Sequence, residues 1–179
     1  MKNQRGFTLI EVLLAAFLIS IGLLGLLSVV PIGTFATTDG YRLSTATFLA
    51  NQKLEEVRNM PWRSVPANDC VGFSASASAA PTVPAGGTCT LGGTTVNSGG
   101  ALPWFADQAT NTISGFPGYS RSVRITNCGV APGCGTAPNN VTDATVRNVV
   151  VTVTYRAGSA IAMNSTDKPV TVTMMVSQR

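Results

Sequence analysis

The stretch Arg5-Gly6-Phe7-Thr8-Leu9-Ile10-Glu11-Val12-Leu13-Leu14-Ala15-Ala16 decides how this chain is read. A cation and a glycine open it, and the apolar run that follows is broken early by one carboxylate. From Val12 to Thr34 there are 23 residues without a charge. As a helix they extend about 35 Å, enough to cross a bilayer. Lys2 and Arg5 precede the run and Asp39 follows it, so the positive-inside rule places the N-terminus in the cytoplasm. Glu11 is the anomaly. An ionised group at membrane depth costs about 2.5–3.5 kcal/mol by insertion scales, so it needs a partner or a purpose.

Hydropathy alone is met by a plain single-span anchor or by a secretory signal peptide. A signal peptide closes a core of roughly 7–15 apolar residues with a small-residue cleavage site. Here the run is longer, and Thr34-Phe35-Ala36 is the nearest approach to such a site.

With 179 residues the chain has room for one ordinary domain plus an anchor. Charged residues make up 11% and hydrophobic ones 45%, a balance that argues against a highly solvated cytosolic protein. The net charge of +4 falls to +2 without Lys2 and Arg5, which is no nucleic-acid footprint. Histidine is absent, which removes the usual zinc ligand, the usual general base and the Ser/His and Cys/His nucleophile pairs. No catalytic constellation and no cofactor or metal site is read from the sequence. The adjacent Glu55 and Glu56 point about 100° apart on a helix, so they read as solvated surface rather than an acid/base pair.

Gly6-Phe7-Thr8-Leu9-Ile10-Glu11 closely resembles the prepilin cleavage and N-methylation motif of type IV pilins and type II secretion pseudopilins. The resemblance implies cleavage between Gly6 and Phe7 by a prepilin peptidase that is also the N-methyltransferase, with Phe7 as the methylated residue. Glu11 would then be the fifth residue of the mature chain and an assembly contact, pairing with the Phe7 amine of a neighbouring subunit. A buried charge pair is a weak stabiliser but a good register device, because a mismatched position leaves a charge unpaired. Ser20-Ile21-Gly22-Leu23-Leu24-Gly25-Leu26 and Leu49 to Arg58 are similar to the minor pilins of the PilV-like pilus-modification group.

Gly22, Gly25, Pro31 and Gly33 interrupt the span. Proline removes a helical donor, so a kink or local unwinding is expected near Leu27–Pro31. The competing reading is that glycine and proline are common in membrane helices. Beyond Gly40 the pattern becomes periodic. Leu43, Thr47, Ala50, Leu54 and Val57 form a stripe at helical spacing, with Lys53, Glu55, Glu56 and Arg58 around it as mixed surface charge. Met60-Pro61-Trp62 ends the helix.

Residues 64–118 are rich in Gly, Ala, Ser, Thr and Pro, with Asp69 and Asp107 as the charges, so turns and short extended segments are expected. Trp104 and Phe105 are expected in the core. The Gly-Gly pairs there lack the Lys-Ser/Thr ending of a phosphate loop, and no lysine or arginine is present to hold DNA. Cys70, Cys89, Cys128 and Cys134 allow three pairings. The favoured set is 70–89 with 128–134, because each closes a loop with little core of its own; the former is worth about 3 kcal/mol by loop entropy.

Three strands are expected after that. Tyr119 to Thr126 places Tyr119, Arg121, Val123 and Ile125 on one side. Asp143 to Arg156 places Val149, Val151, Val153 and Tyr155 together. The third aligns Val170, Val172, Met174 and Val176. Short links imply an antiparallel meander. The expected fold is α+β: a long N-terminal helix packed on a small antiparallel sheet of three to four strands, the pilin fold. Its parts are a leader at 1–6, a transmembrane helix half at 7–35, an amphipathic half at 36–60, a loop region at 61–118 and a sheet at 119–179, with 36–179 one periplasmic domain.

The function these readings imply is a structural minor pilin, not an enzyme. It would be anchored in the bacterial inner membrane by a single span and later incorporated into a pilus. Its implied partners are the prepilin peptidase, other major and minor pilins, the inner-membrane assembly platform and inner-membrane lipid. A minor pseudopilin of a type II secretion system shares every one of these features. A loop-presented adhesion or ligand-binding module at a pilus tip, an anchored periplasmic enzyme and a conventional secreted protein are the alternatives from other classes.

Overall fold

A computed structural model describes residues 8–157 and 166–179, with residues 28, 30–32, 157 and 166 described by backbone alone. Helix α1 spans Leu9–Asn59. It is Leu- and Ala-rich and starts after the extended Thr8. It stops at Met60, also extended, because Pro61 disfavours helix in the residue before it. Of the two readings of Leu27–Pro31, local unwinding is not what is seen, since α1 stays helical through it. One missing donor removes one rung, while every other backbone group of an apolar segment still pairs best within the helix.

Short hairpins fill the region after α1. Strands β1 (Trp62–Ser64) and β2 (Ala67–Asp69) pair, as do β3 (Phe73–Ser74) with β4 (Pro81–Thr82) and β5 (Thr88–Leu91) with β6 (Thr94–Asn97). The turn between β5 and β6 is Gly92-Gly93, at φ 56° and 83°, values that suit a tight hairpin and that glycine adopts without strain. A 3-10 turn follows at Pro103–Phe105. The main sheet is an antiparallel meander in the order β7 (Tyr119–Asn127), β8 (Val146–Ala157), β9 (Thr166–Ser177). The fold is therefore α+β, a long apolar helix with small antiparallel sheets, consistent with a pilin fold.

β8 starts three residues later than the expected Asp143 because Asp143 makes a turn instead. Its Oδ1 accepts bonds from the Thr145 amide and hydroxyl, both at 2.7 Å. The alternation in β7 to β9 reads through as one face. Register pairs Val123 with Val151 and Val151 with Val172, so all three strands turn the same set toward α1. The opposite face carries the serines and threonines, such as Ser122, Thr152 and Thr171, and faces solvent.

The stripe of α1 that covers this sheet is Ala46, Leu49, Ala50, Leu54 and Val57. Two expectations are corrected here. Leu43 is 48% exposed, off the side of α1 on which Asp39, Arg42 and Ala46 meet the sheet, and Lys53 is only 5% exposed rather than on the surface. Phe105 is fully buried and Trp104 half-buried, with the Trp104 indole donating to the Cys70 carbonyl at 3.2 Å. Cys70 and Cys89 are bonded, joining β2 to β5 with Cα atoms 4.7 Å apart. Cys128 and Cys134 are bonded as well.

The hairpin β1–β2 is locked to the sheet by a buried ion pair. Arg147 of β8 reaches Asp69 with Nη1 2.6 Å from Oδ1, and the two side chains are 6% and 15% exposed. The guanidinium also lies 4.0 Å from the Trp62 ring centroid, a cation–π contact. Removing one partner strands a buried charge. Asp69→Ala is expected to lose about 3–5 kcal/mol in urea unfolding. The double change Asp69→Ala with Arg147→Leu is expected to regain most of that loss; a double variant as unstable as the single would refute this account.

Candidate assembly helix and its seat

The Gly6–Phe7 junction, Phe7 as the methylated residue and the leader at 1–6 lie outside the described residues. Glu11 is described. It sits in the first turn of α1, where a carboxylate complements the positive end of the helix dipole. Thr8 and Glu11 have the spacing of a capping box, a signal the motif reading passed over. The box does not close, because the Thr8 side chain makes no cap bond. Glu11 therefore stays exposed, on a helix whose Leu9–Leu27 segment is long and apolar enough to span a membrane and has none of its side chains buried in the chain.

The eight carboxylate side chains separate clearly. Asp39 pairs with Lys168, Glu55 with Arg58, Glu56 with Lys53 and Asp69 with Arg147. Asp107 pairs with Arg124, Asp167 with Arg156, and Asp143 is held by Thr145. The Glu11 carboxylate has no hydrogen bond or ion pair among the described residues, although its amide donates to the Thr8 carbonyl at 3.1 Å. Arg124 clasps Asp107 through two bonds, at 2.6 and 2.8 Å, and holds its carboxyl below the usual value. Such carboxylates are neutralised in place and are not poised to move protons. Among the described residues no group of three or more His, Cys, Asp or Glu side chains could hold a metal ion.

Below the span, α1 is seated by polar contacts along its length. Lys168 of β9 donates to Asp39 at 2.7 Å, an interaction that raises the lysine's affinity for its proton. Arg42 donates to the Arg156 carbonyl, and the Tyr119 hydroxyl to the Arg42 carbonyl at 3.4 Å. Arg121 of β7 reaches through the core to the Leu49 carbonyl at 3.1 Å and is steadied by Gln108, whose Oε1 lies 2.8 Å from its Nε. Arg121 had been placed on the buried face by alternation, but its bond to the helix backbone had no signal in spacing.

Lys53 is the deepest of these contacts. Its ammonium donates to Glu56 at 2.7 Å and to the Trp104 carbonyl, and lies 5.6 Å from the Phe105 ring centroid. Burial pulls its pKa below 10.5, against the opposing effect of Glu56. The folded chain thus gives up this proton at lower pH than the unfolded chain, so stability from this group rises with pH up to 10.5. Lys53→Met removes that rise. The variant's unfolding free energy relative to the parent is expected to fall as pH rises toward 10.5 in urea titrations of the detergent-solubilised chain; a constant difference would contradict the assignment.

Residues 1–27 match the family model described as the prokaryotic N-terminal methylation motif. No curated protein and no solved structure matches the chain. The motif's family is structural rather than catalytic, and the motif implies processing by prepilin peptidase and assembly with other pilins. Together with the apolar helix it fits an inner-membrane-anchored pilin. The match covers the leader, the junction and the first turns of α1, and it supports a type IV pilin- or pseudopilin-type protein.

Proposed function

We propose that the chain is a minor pilin of a type IV pilus, of the PilV-like group, that supports pilus assembly or its initiation. Prepilin peptidase cuts between Gly6 and Phe7 and Phe7 is N-methylated. Residues 7–35 remain as the single span, with residues 36–179 forming one periplasmic domain, and the subunit later enters the filament. The observation that carries this reading is Glu11, an exposed carboxylate without a partner among the described residues, on an apolar helix that the chain does not cover. Removing Glu11 from a neighbour's Phe7 amine leaves that amine unpaired in an apolar bundle, a loss of about 3–5 kcal/mol.

Two measurements test it. Mass spectrometry of the mature protein is expected to find an N-methylated Phe7 at its start; a start near residue 37 would end the reading. Glu11→Val is expected to be processed normally, yet to fall by more than about a hundredfold in the sheared pilus fraction. Undiminished incorporation of that variant would remove Glu11's role. A processed chain absent from pili but required for type II secretion would assign it to the pseudopilins instead.

A further inference from the structure

The lower end of α1 carries a feature that filament membership does not use. Past Asn59 the chain forms a groove of about 530 Å³ around Met60, Pro61, Trp62 and Val65. A narrower cleft of about 150 Å³ continues from Met60 and Trp62 to Met174 and Val176 of β9. Val65 is 85% exposed, a large apolar side chain left open to solvent. Three arginines rim the groove. Arg58 is shared with Glu55 at 3.4 Å, and Arg179 donates to the Arg58 carbonyl at 3.0 Å. Arg63 is exposed, and its guanidinium has no hydrogen bond or ion pair among the described residues. Asp69 lies beneath, already neutralised by Arg147. The exposed side-chain charge here is three cations against one carboxylate.

β9 bounds the adjoining cleft through Met174 to Ser177, and among the described residues it pairs with β8 on one side only. Its other edge is closed at Arg179, whose amide donates to the Trp62 carbonyl at 3.0 Å, and above that point it offers backbone donors and acceptors that suit an added strand. The groove lies about 36 Å along the helix from the end of the span at residue 35, too far for lipid of the same bilayer to reach. Trp62 is 5% exposed, so the site presents no ring for base stacking, which argues against single-stranded nucleic acid.

We propose that this groove docks an extended acidic segment of another protein. The segment would lie along the free edge of β9, set aliphatic side chains against Met60 and Val65, and place carboxylates on Arg58, Arg63 and Arg179. The interaction does not require a filament, so it stands or falls separately from the pilin assignment.

Fluorescence anisotropy of the full chain in detergent micelles tests this with three labelled probes: a decapeptide of alternating Glu and Val, its Lys/Val counterpart, and a 20-nucleotide single strand. The Glu/Val peptide is expected to bind saturably and the other two at least tenfold more weakly. Arg63→Glu and Val65→Asp, both at exposed positions, are each expected to weaken Glu/Val binding at least tenfold with an unchanged Tm. The same peptide N-methylated on every amide keeps its side chains but cannot pair with β9, and its binding is expected to be lost. No saturable Glu/Val binding, equal binding of the Lys/Val peptide, tighter binding of the oligonucleotide, or indifference to Arg63→Glu would each overturn the proposal.

Discussion

A three-stranded sheet has one apolar face to cover and too few strands to close on itself, so the domain depends on the lower half of α1. Ala46, Leu49, Ala50, Leu54 and Val57 supply that cover, and β8 with Val149, Val151 and Val153 and β9 with Val172 and Met174 receive it. The short hairpins of residues 62–97 complete the core with Val71, Val83 and the cysteine pair 70–89. The same helix continues upward with its apolar side chains uncovered by the rest of the chain. One element therefore serves two solvents: its lower turns belong to a protein interior, and its upper turns must be covered by lipid or by other helices.

Apolar packing alone lets a helix slide on a sheet. Buried cations limit that freedom here. Arg121 bonds the Leu49 carbonyl, Lys53 bonds the Trp104 carbonyl, and Arg147 ties Asp69 beneath Trp62. Each is costly to bury and is compensated only in one alignment of helix, loop and sheet, which makes these contacts devices of specificity more than of strength. Glu11 follows the same logic one level up. Its partner is not found among the described residues, and in an assembled bundle it would set the register between subunits as Arg121 and Lys53 set it within one.

Much of this was legible in sequence. The uncharged run after Glu11, the end of the helix at Met60-Pro61 and the alternation of β7, β8 and β9 each follow from local periodicity and backbone chemistry. The processing motif is legible as a short resemblance, although the junction itself lies outside the described residues. What was misread shares one cause. Lys53 reads as a surface charge because its compensation comes from Trp104, 51 residues away, and Asp69 finds Arg147 at a separation of 78. Leu43 reads as core because steps of three and four fit more than one side of a helix, and only the packed sheet shows which side it covers.

By itself, then, the sequence determined the elements and their faces: a helix long enough to span and continue, three strands with one apolar side, and a carboxylate in the first turn. These rest on period, charge and proline, which act within a few residues. Tertiary structure decided which cations go inside, which side of α1 the sheet covers, and that six carboxylates are ion-paired and Asp143 is hydrogen-bonded within the chain while the Glu11 carboxylate has no partner among the described residues. Those outcomes depend on desolvation and on partners distant in sequence, and neither exists until helix, hairpins and sheet have packed.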